Sequence, residues 1–251
     1  MKVRRYWIAL STFLVIAVGW ELASKVGLYN TFLLPPPSQT FTALLRLSNS
    51  GVLYSDLLDS IMRYVPGYII GCSLGIVVGL ASGAFKHAGM AVNPLFHFLR
   101  SIPPVALVPF ALVVFGIGDA SKIYLVAWAC FFPVWLNTHS GMQQVPIEYL
   151  RAAKIFRMNE LQRIINVWIP SSLPYIINGL RISIATGFFA LVASEMFASS
   201  SGIGFRIIYS YQLFNTADMV AMILLLGILA LLADQGLSAM RRIFVPWEDS
   251  K

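Results

Sequence analysis

The stretch "EYLRAAKIFRMNELQRIINVWIP", residues 148–170, crowds Arg151, Lys154, Arg157, Glu160 and Arg163 into a chain whose mean hydropathy is +0.74. Tyr149, Ala152, Ala153 and Phe156 recur in it at i, i+3, i+4 and i+7, one face of a helix, while Arg151, Lys154 and Arg157 point elsewhere. Asn159, with Gln162 three residues on, has the reciprocal pattern of a capping box. Leu161, Ile164, Ile165 and Trp168 then supply the apolar face of a second helix, which Pro170 is expected to stop. The stretch predicts two short amphipathic helices joined at residues 157–159. Two alanines at the centre of the first leave it a low profile, suited to the groove of another protein. A basic helix resting on a lipid surface satisfies the same periodicity.

Outward from this polar island the chain is apolar. Of its 251 residues 58% are hydrophobic and only 12% charged, too few charges to wet the surface of a soluble domain. Apolar runs occupy about residues 6–23, 61–84, 91–115, 123–138, 175–198 and 217–240. Their lengths suit helices crossing roughly 30 Å of hydrocarbon rather than the shorter alternating strands of a barrel. The expectation is an all-α membrane protein with six spans and both termini on one side. It divides into a first span (1–30), a Pro-rich segment with an interfacial helix (31–60), and a core of five spans (61–245) that includes the polar loop 146–170. Ala17-Val18-Gly19 imitates a cleavage site, but the run before it is longer than a signal core, so an uncleaved first helix is expected.

Placing the N-terminus in the cytoplasm puts Lys2, Arg4, Arg5, Lys86, Arg151, Lys154, Arg157, Arg163, Arg241, Arg242 and Lys251 inside, against Lys25, Arg46, Arg63, Lys122 and Arg206 outside. The polar island then faces the cytoplasm, and the net charge of +7 is a topology signal rather than a nucleic-acid footprint. Cys72 and Cys130 fall inside spans, and His87, His97 and His139 are scattered, so neither a disulfide framework nor a metal site is expected.

Within the second run Gly67, Gly71, Gly75, Gly79 and Gly83 lie four apart, a stripe that lets another backbone approach, most simply within the same subunit. The third run contains "RSIPPVALVPF". Pro103, Pro104 and Pro109 must break or kink that helix at depth, where freed backbone groups need protein or water beside them. Arg100, Arg181, Glu195 and Asp234 are costly in hydrocarbon and point either to structural ion pairs or to a substrate path. Arg100, Pro103, Pro104, Arg181 and Glu195 are the candidates for such a path. In "LLPPPSQTFTALLRLSNSG", Ser38 is expected to cap an interfacial helix with Phe41, Leu44, Leu45 and Leu47 on its apolar face.

The stretch 148–170 resembles the cytoplasmic "EAA" loop of ABC importer permeases, whose pattern runs Glu-Ala-Ala, three residues, Gly, nine residues, Ile, one residue, Leu-Pro. Arg151, Ala152 and Ala153 match its opening, Arg157 its Gly, Val167 its Ile, and Ile169 with Pro170 its ending. Arg151 replaces the acid, with Glu148 offering a carboxylate one turn earlier, and Arg157 replaces the residue that tolerates positive φ. "LLPPPSQTF", "LRSIPPVALVPFALVVFGIGDASKI", "LPYIINGLRIS" and "ASSSGIGF" are similar, in the same order, to stretches of the nitrate, sulfonate, taurine and bicarbonate branch of these permeases. The resemblance implies a type I importer permease of six helices, working as a dimer of permeases, identical or homologous, on two ATP-binding subunits and fed by an extracytoplasmic solute-binding protein. It implies a bacterial inner membrane location, and Glu148, Tyr149, Arg151, Ala152, Ala153, Lys154, Phe156 and Arg157 as the ATPase-coupling residues. The cargo it implies is a small anion, with a vitamin precursor as the alternative. The chain has no phosphate-binding loop of the GxxxxGK[ST] type, so ATP and Mg²⁺ are expected on the partner and no cofactor or catalysis on this subunit. An ion-coupled transporter acting alone would call for an inverted repeat, and none is visible between the halves.

Overall fold

Apolar runs in which neither period-2 alternation nor turn signals recur can satisfy their backbone groups in lipid only as helices. The computed structural model describes residues 2–244, and among the described residues there is no strand. The endpoint at 245 and Lys251 of the charge asymmetry lie outside the described residues. The helices are α1 (Lys2–Lys25), α2 (Pro37–Asn49), α3 (Val52–Ala84), α4 (Lys86–Leu99), α5 (Val108–Phe115), α6 (Asp119–Gln143), α7 (Ile147–Ile155), α8 (Glu160–Arg163), α9 (Ile169–Ala198), α10 (Ile203–Gln212) and α11 (Thr216–Phe244). Three segments, Val52–Ala84, Glu160–Ala198 and Thr216–Ala239, are each long and apolar enough to cross a membrane. Gly89–Leu99 and Pro104–Phe115, bent 85° from each other, make a fourth if taken as one broken span. The two other expected runs form the helices α1 and α6, of 24 and 25 residues, and neither is among these candidates.

The axis of the bundle is α6, enclosed between α3 and α9, with Val126, Cys130, Val134 and Trp135 fully buried along it. The glycine stripe makes this possible. A Cβ on Gly71 would lie 2.3 Å from the carbonyl oxygen of Ala127, and Cβ atoms on Gly67, Gly75, Gly79 and Gly83 would come within 2.9 Å of α6 atoms. The expected intrasubunit ridge is therefore the α3–α6 contact, where missing side chains replace a hydrophobic drive that lipid cannot supply. On the other side Gly179 and Gly187 of α9 meet Asn137 and Cys130 of α6 in the same way. Tyr64, Phe188, Ile184 and Leu191 fill the space where the three helices meet. Cys72 and Cys130 are buried and free.

Two boundaries differ from expectation. The helix after the proline run begins at Pro37 with Pro36 at its cap, because a proline at the first helical position loses only a donor that has no partner there anyway. Its buried face is Thr40, Ala43 and Leu47, with Phe41 and Leu45 turned outward. Pro170 does not stop its helix either. A π turn over Ile164–Trp168 widens the ladder just before it, relieving the clash its ring would make with the Asn166 carbonyl, and the chain runs on as one helical segment from Glu160 to Ala198.

Candidate functional site

The polar loop projects from the end of the bundle where α6 finishes and α9 starts. Pro146 opens α7, and the helix closes at Arg157, which adopts φ +52°. The N–H of Met158 donates to the Ala153 carbonyl and that of Arg157 to the Lys154 carbonyl, the paired bonds of a Schellman ending. This is why the related loop pattern carries Gly here: the left-handed conformation costs a side-chain-bearing residue about 1 kcal/mol. Asn159 and Gln162 exchange both bonds of the expected capping box, at 2.8 and 3.0 Å. The corner is thus fixed by its own hydrogen bonds before anything docks on it.

The alanine face of α7 is covered only at its centre, and Tyr149 and Phe156 at its ends are 56% and 73% exposed. Ala153 is 1% exposed and Ala152 half-buried, packed toward the start of α9. Tyr149, Ala152, Ala153 and Phe156 line a groove of about 1020 Å³ shared with Asn166, Pro170, Tyr175 and Asn178. Small residues let α7 lie close to its own bundle, which satisfies the same periodicity as a groove-docking face. The exposed side carries Glu148, Arg151, Lys154, Arg157 and Ile155, the last 80% exposed. The side chains of Arg151, Lys154 and Arg157 make no ion pair among the described residues, whereas Arg163 pairs with Glu160. Ile155 escaped the sequence pattern because it stands between cations rather than on the apolar stripe.

At the opposite end of the bundle charges are paired with one another, and all but Asp119 are largely buried. Glu195 is fully buried; it accepts from Arg63 Nη1 at 2.9 Å, from Ser60 Oγ at 2.9 Å and from the Gly204 N–H at 2.8 Å. Arg63 also donates from Nε to Asp119 at 2.6 Å and from Nη1 to the Ser201 carbonyl at 2.8 Å. Asp56 accepts from the Gly202 N–H at 3.0 Å and from Arg206 Nε at 2.7 Å. Gly202 takes φ +111°, and a Cβ there would lie 2.4 Å from the Glu195 carboxylate. This cage ties α3, α6, α9 and α10 together. The sequence held one unused signal for it: Asp56, Ser60 and Arg63 recur at i, i+4 and i+7 at the start of a long, mainly apolar helix.

The path candidates part company. Glu195 faces the protein interior, and Arg181 forms a bidentate pair with Asp234, both bonds 2.9 Å. Arg100 caps the end of α4 by its backbone, beside Pro103 and Pro104 in the break, and its side chain is exposed with no hydrogen bond or ion pair among the described residues. His139 is absorbed in a local network: Ser82 Oγ lies 3.0 Å from Nδ1, and the Asn93 and Gln143 amides lie 3.1 and 2.9 Å from Nε2. Among the described residues no group of three His, Cys, Asp or Glu side chains could hold a metal ion.

A family model described as binding-protein-dependent transport system inner membrane component matches residues 71–248. The taurine transport system permease protein TauC of Escherichia coli (strain K12) is 30% identical over 249 residues, 97% of this chain and 90% of that protein. The bicarbonate transport system permease protein CmpB of Synechocystis sp. is 32% identical over 239 residues, 90% of this chain and 84% of that protein. Among solved structures, an inward facing conformation of the MetNI methionine ABC transporter superposes with a TM-score of 0.65 at 19% identity, covering 75% of this chain and 94% of that one. That likeness is one of fold.

Proposed function

This chain belongs to the binding-protein-dependent transport system inner membrane component family, and from that premise we propose that it is the permease subunit of an ATP-driven importer for a small oxyanion. Six helices span the inner membrane with both termini in the cytoplasm, α7 projecting on that side. A second permease completes the path, an extracytoplasmic binding protein delivers the cargo, and two ATP-binding subunits carry ATP and Mg²⁺. The subunit itself performs no chemistry. Taurine and bicarbonate in the relatives' names both present a negatively charged group of oxygens, which supports an anion as cargo.

The observation that carries this reading is the unspent outer side of α7. Arg151, Lys154 and Arg157 stand exposed around Ile155 on a corner braced by a Schellman ending and a capping box. Such a rigid knob, apolar at its centre and cationic at its rim, fits a groove in a separate protein. Beyond the corner one helical segment runs 39 residues, about 58 Å, to the cage around Glu195. A displacement imposed on α7 when the ATP-binding subunits close is therefore delivered along α9 to the far end of the bundle. The stroke is driven by unequal contact energy in the two states, since a partner that grips both equally shifts nothing.

The test is a complex of the permease with its ATP-binding subunits and binding protein in proteoliposomes, carrying Ile155→Asp. ATP-driven uptake is expected to fall at least tenfold, with the ATP-binding subunits lost on co-purification. Uptake and co-purification at wild-type levels would refute the docking role.

A further inference from the structure

Among the described arginines and lysines that the helices carry along the bundle, one is unspent. Arg63 serves Asp119 and Glu195, Arg181 pairs with Asp234, Arg206 with Asp56, and Lys122 donates to the Gly118 carbonyl at 2.9 Å. Arg100 has no such partner among the described residues and is exposed. Its depth is set by its neighbour one turn back. Phe96 packs edge-on against Phe131 and Trp135, at 5.2 and 5.1 Å, close to the middle of α6. With the middle of α6 taken as the bilayer centre, Arg100, about 6 Å further along α4, falls within the hydrocarbon thickness.

The backbone beside it leads to the same place. After Arg100 the chain leaves the α-helix, passes exposed Ser101 and Pro103, and turns through 85° before α5. Non-helical backbone at membrane depth is tolerated only against protein or water. An unpaired guanidinium there has the same requirement. Both sit on a surface that this subunit leaves uncovered. We propose that Arg100 lines the water-filled transport path and is the residue that contacts the oxyanion of the cargo. The guanidinium offers a planar fork of donors matched to two oxygens of a sulfonate, nitrate or bicarbonate. Arg181, whose charge is neutralised by its bidentate pair with Asp234, does not share this role. The assignment rests on the reading of the chain as the permease of an anion importer.

The assay is ATP-dependent uptake of isotope-labelled taurine, nitrate and bicarbonate by the reconstituted complex. For whichever anion the wild type imports, Arg100→Gln is expected to lower initial uptake roughly 10- to 100-fold, with Arg100→Lys recovering part of the loss. Because the first variant could fail to assemble, Arg100→Cys is read separately. A membrane-impermeant sulfonated thiol reagent should modify it, and the transported anion should slow the modification; native Cys72 and Cys130 are buried and silent. Wild-type uptake by Arg100→Gln, or an unreactive Arg100→Cys in the assembled complex, overturns the assignment alone. A wild-type complex that imports none of these anions on ATP overturns the function reading and the assignment with it.

Discussion

The two ends of the bundle treat charge in opposite ways. At the end where α3 and α6 begin, Asp56, Arg63, Asp119, Glu195 and Arg206 are paired with one another within the subunit. At the α7 end Arg151, Lys154 and Arg157 stand exposed without ion pairs among the described residues. Charge inside a membrane protein is expensive, so pairs that neutralise each other read as structure. Charge left over at a hydrogen-bonded corner outside the apolar core reads as an offer to another molecule. The difference separates a region that holds the fold from one that is available for work, although both are conspicuous as polar residues in a greasy sequence.

Substitutions at the two ends should therefore have opposite consequences for stability and for transport. Glu195→Ala strands Arg63 in the cage and should cost roughly 3–5 kcal/mol, read as a lower thermal midpoint of the permease in detergent; an apolar replacement of both partners should recover most of it. Gly71→Ala sets a methyl 2.3 Å from a backbone oxygen of α6 and should cost about 1–3 kcal/mol, and a midpoint unchanged by it would mean that α3 and α6 are not in that contact. Arg157→Gly removes a side chain from a left-handed position and should raise stability by about 0.5–1 kcal/mol. Arg151→Glu with Lys154→Glu should move the midpoint by no more than about 0.5 kcal/mol, since these side chains hold nothing within the subunit, yet abolish ATP-driven uptake.

Much of the architecture was legible in one dimension where a single residue type has a single physical consequence. Glycines four apart in an apolar run became the α3–α6 contact, the prolines after Arg100 became an 85° bend, and Asn159 with Gln162 formed the capping box. Reading was harder where one pattern admits two partners. The stripe of α7 is divided between them, with Ala153 against its own bundle and Tyr149 and Phe156 left exposed. Pro170 stops a helix only if no wider turn precedes it, and a π turn does. The cage stayed hidden because Arg63 and Asp119 are 56 positions apart and Asp56 and Arg206 are 150 apart, so their pairing appears only once the helices pack.

Hydrogen–deuterium exchange of the permease, alone and with its ATP-binding subunits, tests the division between the two ends most directly. New protection is expected across residues 147–158 on complex formation, with amides around 56–63 and 195–206 unchanged because their partners are already within the subunit. Protection gained only at the caged end, with α7 exchanging as freely in the complex as alone, would contradict it.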